Sequence, residues 1–286
     1  MNKNVKKIAV IISSVVLVII TLLAYIEFSH TDDLSVIFFD IGQGDSTLIT
    51  TPSGYSILID GGPDRSILAK LGRELPFYDR TIDLMILTHP HQDHIGGLVE
   101  VLLRYDVKHI LYTGADYASP TFIEWINVIK EKNISFTTAT VGQLFRFGDI
   151  ELEILYPFED FTGREFKDVN DSSMVAKLTY GETSFLFTGD APIAVEEELI
   201  KYDDVALGSD VLKIGHHGSR YSSSLEFLRA VNPDLAIIQS GEGNRYGHPH
   251  KLVTKRLEGM GITTLRNDTM GDIQLVSDGE KVWVEP

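Results

Sequence analysis

The chain has 286 residues, 43% hydrophobic and 23% charged, an ordinary globular composition with length for one large domain or two small ones. It contains no cysteine, which excludes disulfides, thiolate metal sites and a cysteine nucleophile; any metal must be held by His, Asp, Glu or Asn. The formal net charge of −16 excludes a broad phosphate-binding face, since beyond residue 30 Lys and Arg occur only as scattered singles and the pair Lys255-Arg256.

Residues 8–26 are a run of nineteen interrupted only by Ser13, Ser14 and Thr21, and Lys3, Lys6 and Lys7 precede it. As a helix the run would extend roughly 28 Å at ~1.5 Å per residue, close to the ~30 Å hydrocarbon core of a bilayer. A cleaved signal peptide and a buried core helix are the alternatives, but Leu22-Leu23-Ala24 is a poor cleavage site and the run lacks an amphipathic stripe. The expectation is a membrane anchor and linker over residues 1–30. By the positive-inside rule the lysines stay in the cytoplasm, so residues 31–286 form a catalytic domain outside the cell membrane, attached by a single pass.

Residues 34–41 predict a strand that stops at the glycine-rich turn Gly42-Gln43-Gly44-Asp45. Strands at 47–51 and 55–59 follow, separated by Pro52-Ser53-Gly54, and the second ends in Asp60-Gly61-Gly62. A helix spans 66–75. Residues 82–87 predict one short strand buried on both faces, leading into a loop, Thr88-His89-Pro90-His91-Gln92-Asp93-His94. Helices are predicted at 95–103 and from Pro120, capped by Ser119, with strands at 107–112, 134–136, 144–147 and 150–156. Residues 157–169 are irregular and acidic.

The opening plan then recurs: strands at 173–179 and 184–187, an acidic end at Thr188-Gly189-Asp190, a helix over 193–201, and a strand at 211–214 ending in Gly215-His216-His217-Gly218. A helix at 225–231, a strand at 235–239, a helix at 252–257 and strands at 273–276 and 282–284 complete the chain. Two batches of strands with helices between them fit two sheets packed face to face, with helices outside each. No linker divides residues 34–286.

Seven of the nine histidines fall in three groups, His89/His91/His94, His216/His217 and His248/His250, each after a predicted strand end. Ligands gather at the carboxyl ends of strands because the loops there share one rim. Imidazole and carboxylate are ligands for zinc and related ions, and the spacing His89-x-His91-x-Asp93-His94 can serve two metals. His248 and His250 lie in a Gly-His-Pro-His loop that reads either as a rim group donating a proton or as a turn leading into a helix. Asp45 and Ser46 follow a turn at the same rim.

Asp60 in Leu58-Ile59-Asp60-Gly61-Gly62, the His89–His94 motif followed by Gly96-Gly97, and Asp190 in Phe187-Thr188-Gly189-Asp190 resemble the metallo-β-lactamase-fold hydrolases. More narrowly, Phe39-Asp40-Ile41-Gly42-Gln43-Gly44-Asp45-Ser46, Lys213-Ile214-Gly215-His216-His217-Gly218-Ser219 and Asn244-Arg245-Tyr246-Gly247-His248-Pro249-His250 resemble the hydrolase domain of ComEC-type competence proteins. That family's multi-span channel region is missing from this sequence. The resemblance implies an α/β fold, a four-layer αββα sandwich, here preceded by the transmembrane helix. It also implies two divalent ions, zinc or manganese. His89 and His91 would hold the first and Asp93 and His94 the second, with Asp190 bridging and His216 or His217 completing a site. Asp60 would orient a histidine from behind.

The sequence departs from many dinuclear members at Asn170 and Ser173, where a further histidine is usual and Val169-Asn170-Asp171-Ser172-Ser173 stands instead. The first site therefore carries fewer strong ligands, which predicts weak occupancy, room for substrate or water, or a preference for manganese. The implied activity is hydrolysis of a phosphodiester, DNA being one candidate, with Asp93 or Asp190 orienting the water and His248 protonating the leaving group. The alternatives are an esterase for a small phosphodiester of the cell envelope or a lactonase of the same fold. Outside enzymes, the alternative is a metal-stabilised binding or assembly module of a DNA-uptake-like complex. No protein partner is readable from the sequence.

Overall fold

The computed structural model describes residues 4, 7, 11–21 and 33–285. Residues 11–21 are helical and exposed, and at ~1.5 Å per residue they extend roughly 16 Å, about half a bilayer core. Among the described residues no helix is long and apolar enough to cross a membrane. The expected transmembrane helix, the single-pass attachment and the outward-facing catalytic domain are therefore corrected. Leu22-Leu23-Ala24, read from the sequence as a poor cleavage site, and most of the expected linker lie outside the described residues.

The first sheet opens with three antiparallel strands, β1 (Leu34–Phe38), β2 (Thr47–Thr50) and β3 (Ser56–Ile59). Helix α1 (Ile67–Glu74) follows. The run at 82–87 is split: β4 (Thr81–Ile82) pairs with β6 (Asp106–Val107) in a separate ribbon, and β5 (Leu84–Leu87) lies parallel to β3. Asp83 causes the break, since its Oδ2 accepts the Ser56 N–H at 2.8 Å and its own N–H donates to Ser56 O at 2.8 Å. Helix α2 (Gln92–Arg104), β7 (His109–Tyr112), helix α3 (Pro120–Lys132) and β8 (Ser135–Thr138) continue the parallel half. Ser119 caps α3 as expected, accepting the Phe122 N–H at 3.2 Å.

The second sheet repeats this order. Strands β9 (Leu144–Phe147), β10 (Ile150–Tyr156), β11 (Val175–Tyr180) and β12 (Thr183–Phe187) are antiparallel; β13 (Val211–Lys213), β14 (Leu235–Ile238) and β15 (Thr263–Arg266) are parallel. Helices α4 (Ile193–Lys201), α5 (Leu225–Val231) and α6 (Lys251–Met260) separate the later strands, and α7 (Asn267–Met270) follows β15. Strands β16 (Ile273–Ser277) and β17 (Val282–Glu285) return to the first sheet beside β1.

Alternation along each strand divides the core in two. Val36, Phe38, Ile57, Ile59, Leu84 and Ile86 face the second sheet and meet Leu152, Ile154, Phe185 and Phe187. Their neighbours Ile37, Leu58, Met85 and Leu87 face outward, under Leu71, Leu98 and Leu102 of the helices. Phe38 and Phe187 meet across the sheets with ring centroids 6.1 Å apart. Each such buried side chain contributes about 1.5–3 kcal/mol. The result is the expected α/β sandwich, and the parallel halves place the carboxyl ends of β3, β5, β12, β13 and β14 along one rim.

Candidate metal centre

Asp60, at the end of β3, has a left-handed backbone (φ 57°), a conformation few non-glycine residues adopt. Four bonds hold it there. Its N–H donates to Ile86 O at 2.9 Å, its carbonyl accepts the Ser46 hydroxyl at 3.0 Å, and its carboxylate accepts the Thr88 N–H at 2.8 Å and the Thr88 hydroxyl at 2.7 Å. Asp60 Oδ2 also lies 2.8 Å from His94 Nδ1, so the histidine it orients is His94, with Nε2 left facing the centre.

The expected histidine loop is shorter than the sequence suggests. His91 is the N-terminal cap of α2, while Asp93 and His94 occupy its first turn. A helical turn points successive side chains about 100° apart, which sends Asp93 to the rim and His94 inward. Gly44 lets the preceding turn approach closely: a Cβ there would overlap Asp93 O. The neighbouring Asp45 N–H donates to that same oxygen at 3.1 Å.

Asp190 is where the two sheets' contributions meet. Its Oδ2 lies 3.4 Å from His94 Nε2, 3.5 Å from His217 Nε2, 3.8 Å from His216 Nε2 and 3.9 Å from His89 Nε2. His217 Nε2 is also 3.3 Å from Asp93 Oδ2. The convergent sets His89/His94/Asp190, Asp93/His94/His217, Asp45/Asp190/His217 and Asp45/Asp60/His94 each bring their ligand atoms within 4.8 Å of one another. Both His216 and His217 have left-handed backbones (φ 50° and 53°), a strain of order 1–3 kcal/mol each that the surrounding loop must overcome.

The remaining sequence candidates lie around this core. His91 Nδ1 is 3.0 Å from His89 Nε2, so His91 adjoins His89 but belongs to none of the convergent sets. His216 retains 26% side-chain exposure, against 2% for His217. The His248 ring stands 5.7 Å from that of His216 and 6.3 Å from that of His217. His250 caps α6, accepting the Leu252 N–H at 3.1 Å. Ser173 Oγ accepts the Asp190 N–H at 3.2 Å, and Asn170 is buried with no hydrogen-bond partner for Oδ1 among the described residues.

Charge is strongly organised here. Burial pushes the His217 imidazole down, but the carboxylates of Asp190, Asp45 and Asp93 outweigh burial and lift it to about 10. Burial likewise opposes protonation of His94, and Asp190 and Asp60 hold it well above its ordinary value. For Asp190 burial acts upward, while His217 and His94 draw the carboxyl well below its usual range. Burial and the charge on His94 push His89 well below its ordinary value. Burial, His217 and His216 lower His248 to about 4, so it is neutral at neutral pH.

Three residues of the site had no assigned role in the sequence. Lys213, almost fully buried, pairs with Asp45 and donates to Gly189 O at 2.9 Å. Gln239 donates to Ser46 O at 2.8 Å, while its carbonyl lies 2.9 Å from His217 Nδ1; one residue thus ties both sheets to a histidine. Thr88 links Asp60 to the first histidine, with its hydroxyl 3.2 Å from His89 Nδ1. The available signal for Lys213 was a lone charge in the apolar strand 211–214.

These residues fit a divalent cation. His94 Nε2, His217 Nε2 and Asp190 Oδ1 are buried without a hydrogen-bond partner among the described residues, which is costly unless another electrophile faces them. Nitrogen and carboxylate oxygen donors suit zinc, manganese or iron.

Fold and site together define a metal-dependent hydrolase fold of the metallo-β-lactamase type. The profile of the Metallo-beta-lactamase superfamily matches residues 39–242, and the chain belongs to that family. The chain is 31% identical over 252 residues to ComE operon protein 3 of Bacillus subtilis (strain 168), across 82% of this chain and 32% of that protein. It is 32% identical over 248 residues to Competence protein ComA of Neisseria gonorrhoeae, across 85% of this chain and 32% of that protein. The chain therefore spans about a third of the length of these competence proteins. In three dimensions it is similar to the metallo-beta-lactamase fold protein YhfI from Bacillus subtilis, with a TM-score of 0.54 at 14% identity over 88% of this chain and 100% of that one.

Proposed function

We propose that this chain is a phosphodiesterase that works with two divalent cations, zinc or manganese. The observation that carries the reading is the convergence of His89, His94, His216 and His217 on one oxygen of Asp190. Asp93, His94 and His217 would hold one cation and His89 and His91 the other, with Asp190 shared. When bound, the cations supply Lewis acidity toward a phosphoryl oxygen and lower the pKa of a water. Asp93 or Asp190 would accept a hydrogen bond from the attacking water and orient it. Asp60 keeps His94 in the tautomer whose Nε2 faces the centre. Lys213 offsets the charge of Asp45, which eases its repulsion with the neighbouring Asp190 carboxylate. His248, at the outer edge of the cluster, would exchange a proton with the leaving group. Asn170 stands in for a stronger ligand, which makes the His89/His91 site the weaker of the two.

Relatives named for competence favour a nucleic-acid phosphodiester as the substrate. The net charge of −16 limits that contact to a few nucleotides, because an extended polyanion is repelled. The test is to load the full chain with Mn²⁺ or Zn²⁺ and assay single-stranded DNA, bis-p-nitrophenyl phosphate and a lactone side by side. Metal-dependent cleavage of the first two is expected. Lactone turnover alone would overturn the substrate class, and full activity in His91→Ala would overturn the assignment of the His89/His91 site.

A further inference from the structure

A cavity of about 450 Å³ opens beside Asp93, lined by Gln43, Pro63, Gln92, Asn244, Arg245 and Tyr246 as well as by Asp93 itself. Its volume lies within the range of small-ligand sites. The far wall is a built feature. Asn244 spends every polar atom within its own loop: Nδ2 donates to Gly241 O at 2.9 Å and to His248 O at 2.5 Å, and Oδ1 accepts the Tyr246 and His248 N–H groups at 3.2 and 3.0 Å. This pinned turn leaves the two residues after it at the surface.

Tyr246 stacks on His248, and Arg245 lies at the hydroxyl end of the Tyr246 ring. The Tyr246 ring is 55% exposed and lies 5.8 Å from the His248 ring at 24°. The Arg245 guanidinium sits 4.9 Å over the same ring and donates to the Tyr246 hydroxyl at 2.8 Å. The His248 ring, the Tyr246 ring and the Arg245 guanidinium thus follow one another from the metal cluster to the mouth of the cavity. Arg245 is the one cation among the residues lining it. A flat π-surface with a single adjacent cation recognises a base and its phosphate, and does so without reading sequence.

We propose that this cavity is a nucleotide subsite: the base next to the scissile phosphodiester stacks on the Tyr246–Arg245 surface, and the guanidinium takes a flanking phosphate. The proposal rests on the phosphodiesterase reading and adds to it the residues that hold the base. It also reconciles an acidic protein with a polyanionic substrate, since one nucleotide is gripped rather than a long strand.

The experiment measures binding of a labelled, phosphorothioate-linked tetrathymidylate to the Mn²⁺-loaded full chain, against an abasic oligomer of the same length. Each stacked base is worth about fivefold or more in affinity, so the thymidylate should bind about fivefold more tightly or better. Tyr246→Ala should bring that preference close to unity, while Tyr246→Trp retains it. Arg245→Ala should reduce the slope of log affinity against log salt by about 0.7. Equal binding of the two oligomers, or a preference that survives Tyr246→Ala, overturns the subsite. Hydrolysis of methyl p-nitrophenyl phosphate, which has no base, separates the two readings. Its absence with base preference intact removes phosphodiester hydrolysis alone; its presence without base preference removes the subsite alone.

Discussion

The Oδ2 oxygen of Asp190 lies 3.5 Å from Nε2 of His217, joining the ends of two parallel neighbours, β12 and β13. His94 Nε2 reaches the same oxygen at 3.4 Å from the opposite sheet. The centre is therefore an inter-sheet feature. Whatever shifts one sheet against the other changes its geometry, so the supports behind the ligands matter as much as the ligands.

Asp60 is the first such support. Asp60→Asn keeps the side-chain shape but replaces one acceptor with a donor, which disturbs either the Thr88 bonds or the bond to His94 Nδ1. Metal affinity should fall about 10–100-fold, as it does when such supporting carboxylates are altered. Competition titration against a chromophoric chelator measures this directly.

Metal uptake should release protons. His94 and His217 are held protonated by their carboxylate neighbours, His217 up to about 10, and a cation requires them neutral. Because these values are raised on folding, their stabilising contribution is complete below the ordinary 6.5 and is lost as pH rises through about 10 for His217. Calorimetry at about pH 8, near the middle of that window, should show a binding enthalpy that depends on the buffer's ionisation enthalpy. The metal-free protein should melt at progressively lower temperature from neutral to alkaline pH.

Glu196 holds the loop that carries His216 and His217. It is buried, and its carboxylate accepts the backbone N–H groups of Ser223 and Ser224, the latter at 2.8 Å. Glu196→Ala strands both donors and should cost about 2–4 kcal/mol in chemical denaturation. Burial raises the Glu196 carboxyl above its ordinary 4.5 more than the Ser224 and Ser223 N–H groups lower it. Its contribution is thus complete below 4.5 and declines as pH rises through the raised folded value. Glu196→Gln should remove that decline.

Lys213 cannot be truncated without exposing a buried charge. Lys213→Met leaves Asp45 facing Asp190 in the interior with its main cation gone. Stability should fall about 3–5 kcal/mol, the usual cost of breaking one partner of a buried pair. Thermal melts of metal-free and metal-loaded protein check this, and added metal should restore part of the loss by supplying positive charge.

The sequence exposed those parts of the site whose signal is local. His89, His91 and Asp93 break an apolar pattern within a few residues, and Asp190 ends a strand, so chain order alone marks them. Lys213 and Gln239 act through Asp45 and Ser46, far away in sequence, and nothing near either residue reveals its partner. The start of α2 at Gln92 was hidden because Asp93 and His94 look like loop residues; only the fold shows that His94 points into the interior. Asp83 splits a strand that periodicity presents as continuous. The apolar run at 8–26 carries length and hydropathy, but among the described residues only 11–21 extend it as a continuous helix.

The most direct measurement is turnover of bis-p-nitrophenyl phosphate by the full chain loaded with Mn²⁺ or Zn²⁺, set beside Asp190→Ala, with folding followed by circular dichroism. Metal-dependent turnover is expected, falling about a thousandfold, or ~4 kcal/mol of transition-state stabilisation, in a folded variant. Bound metal without turnover, or a folded Asp190→Ala that retains full rate, would contradict it.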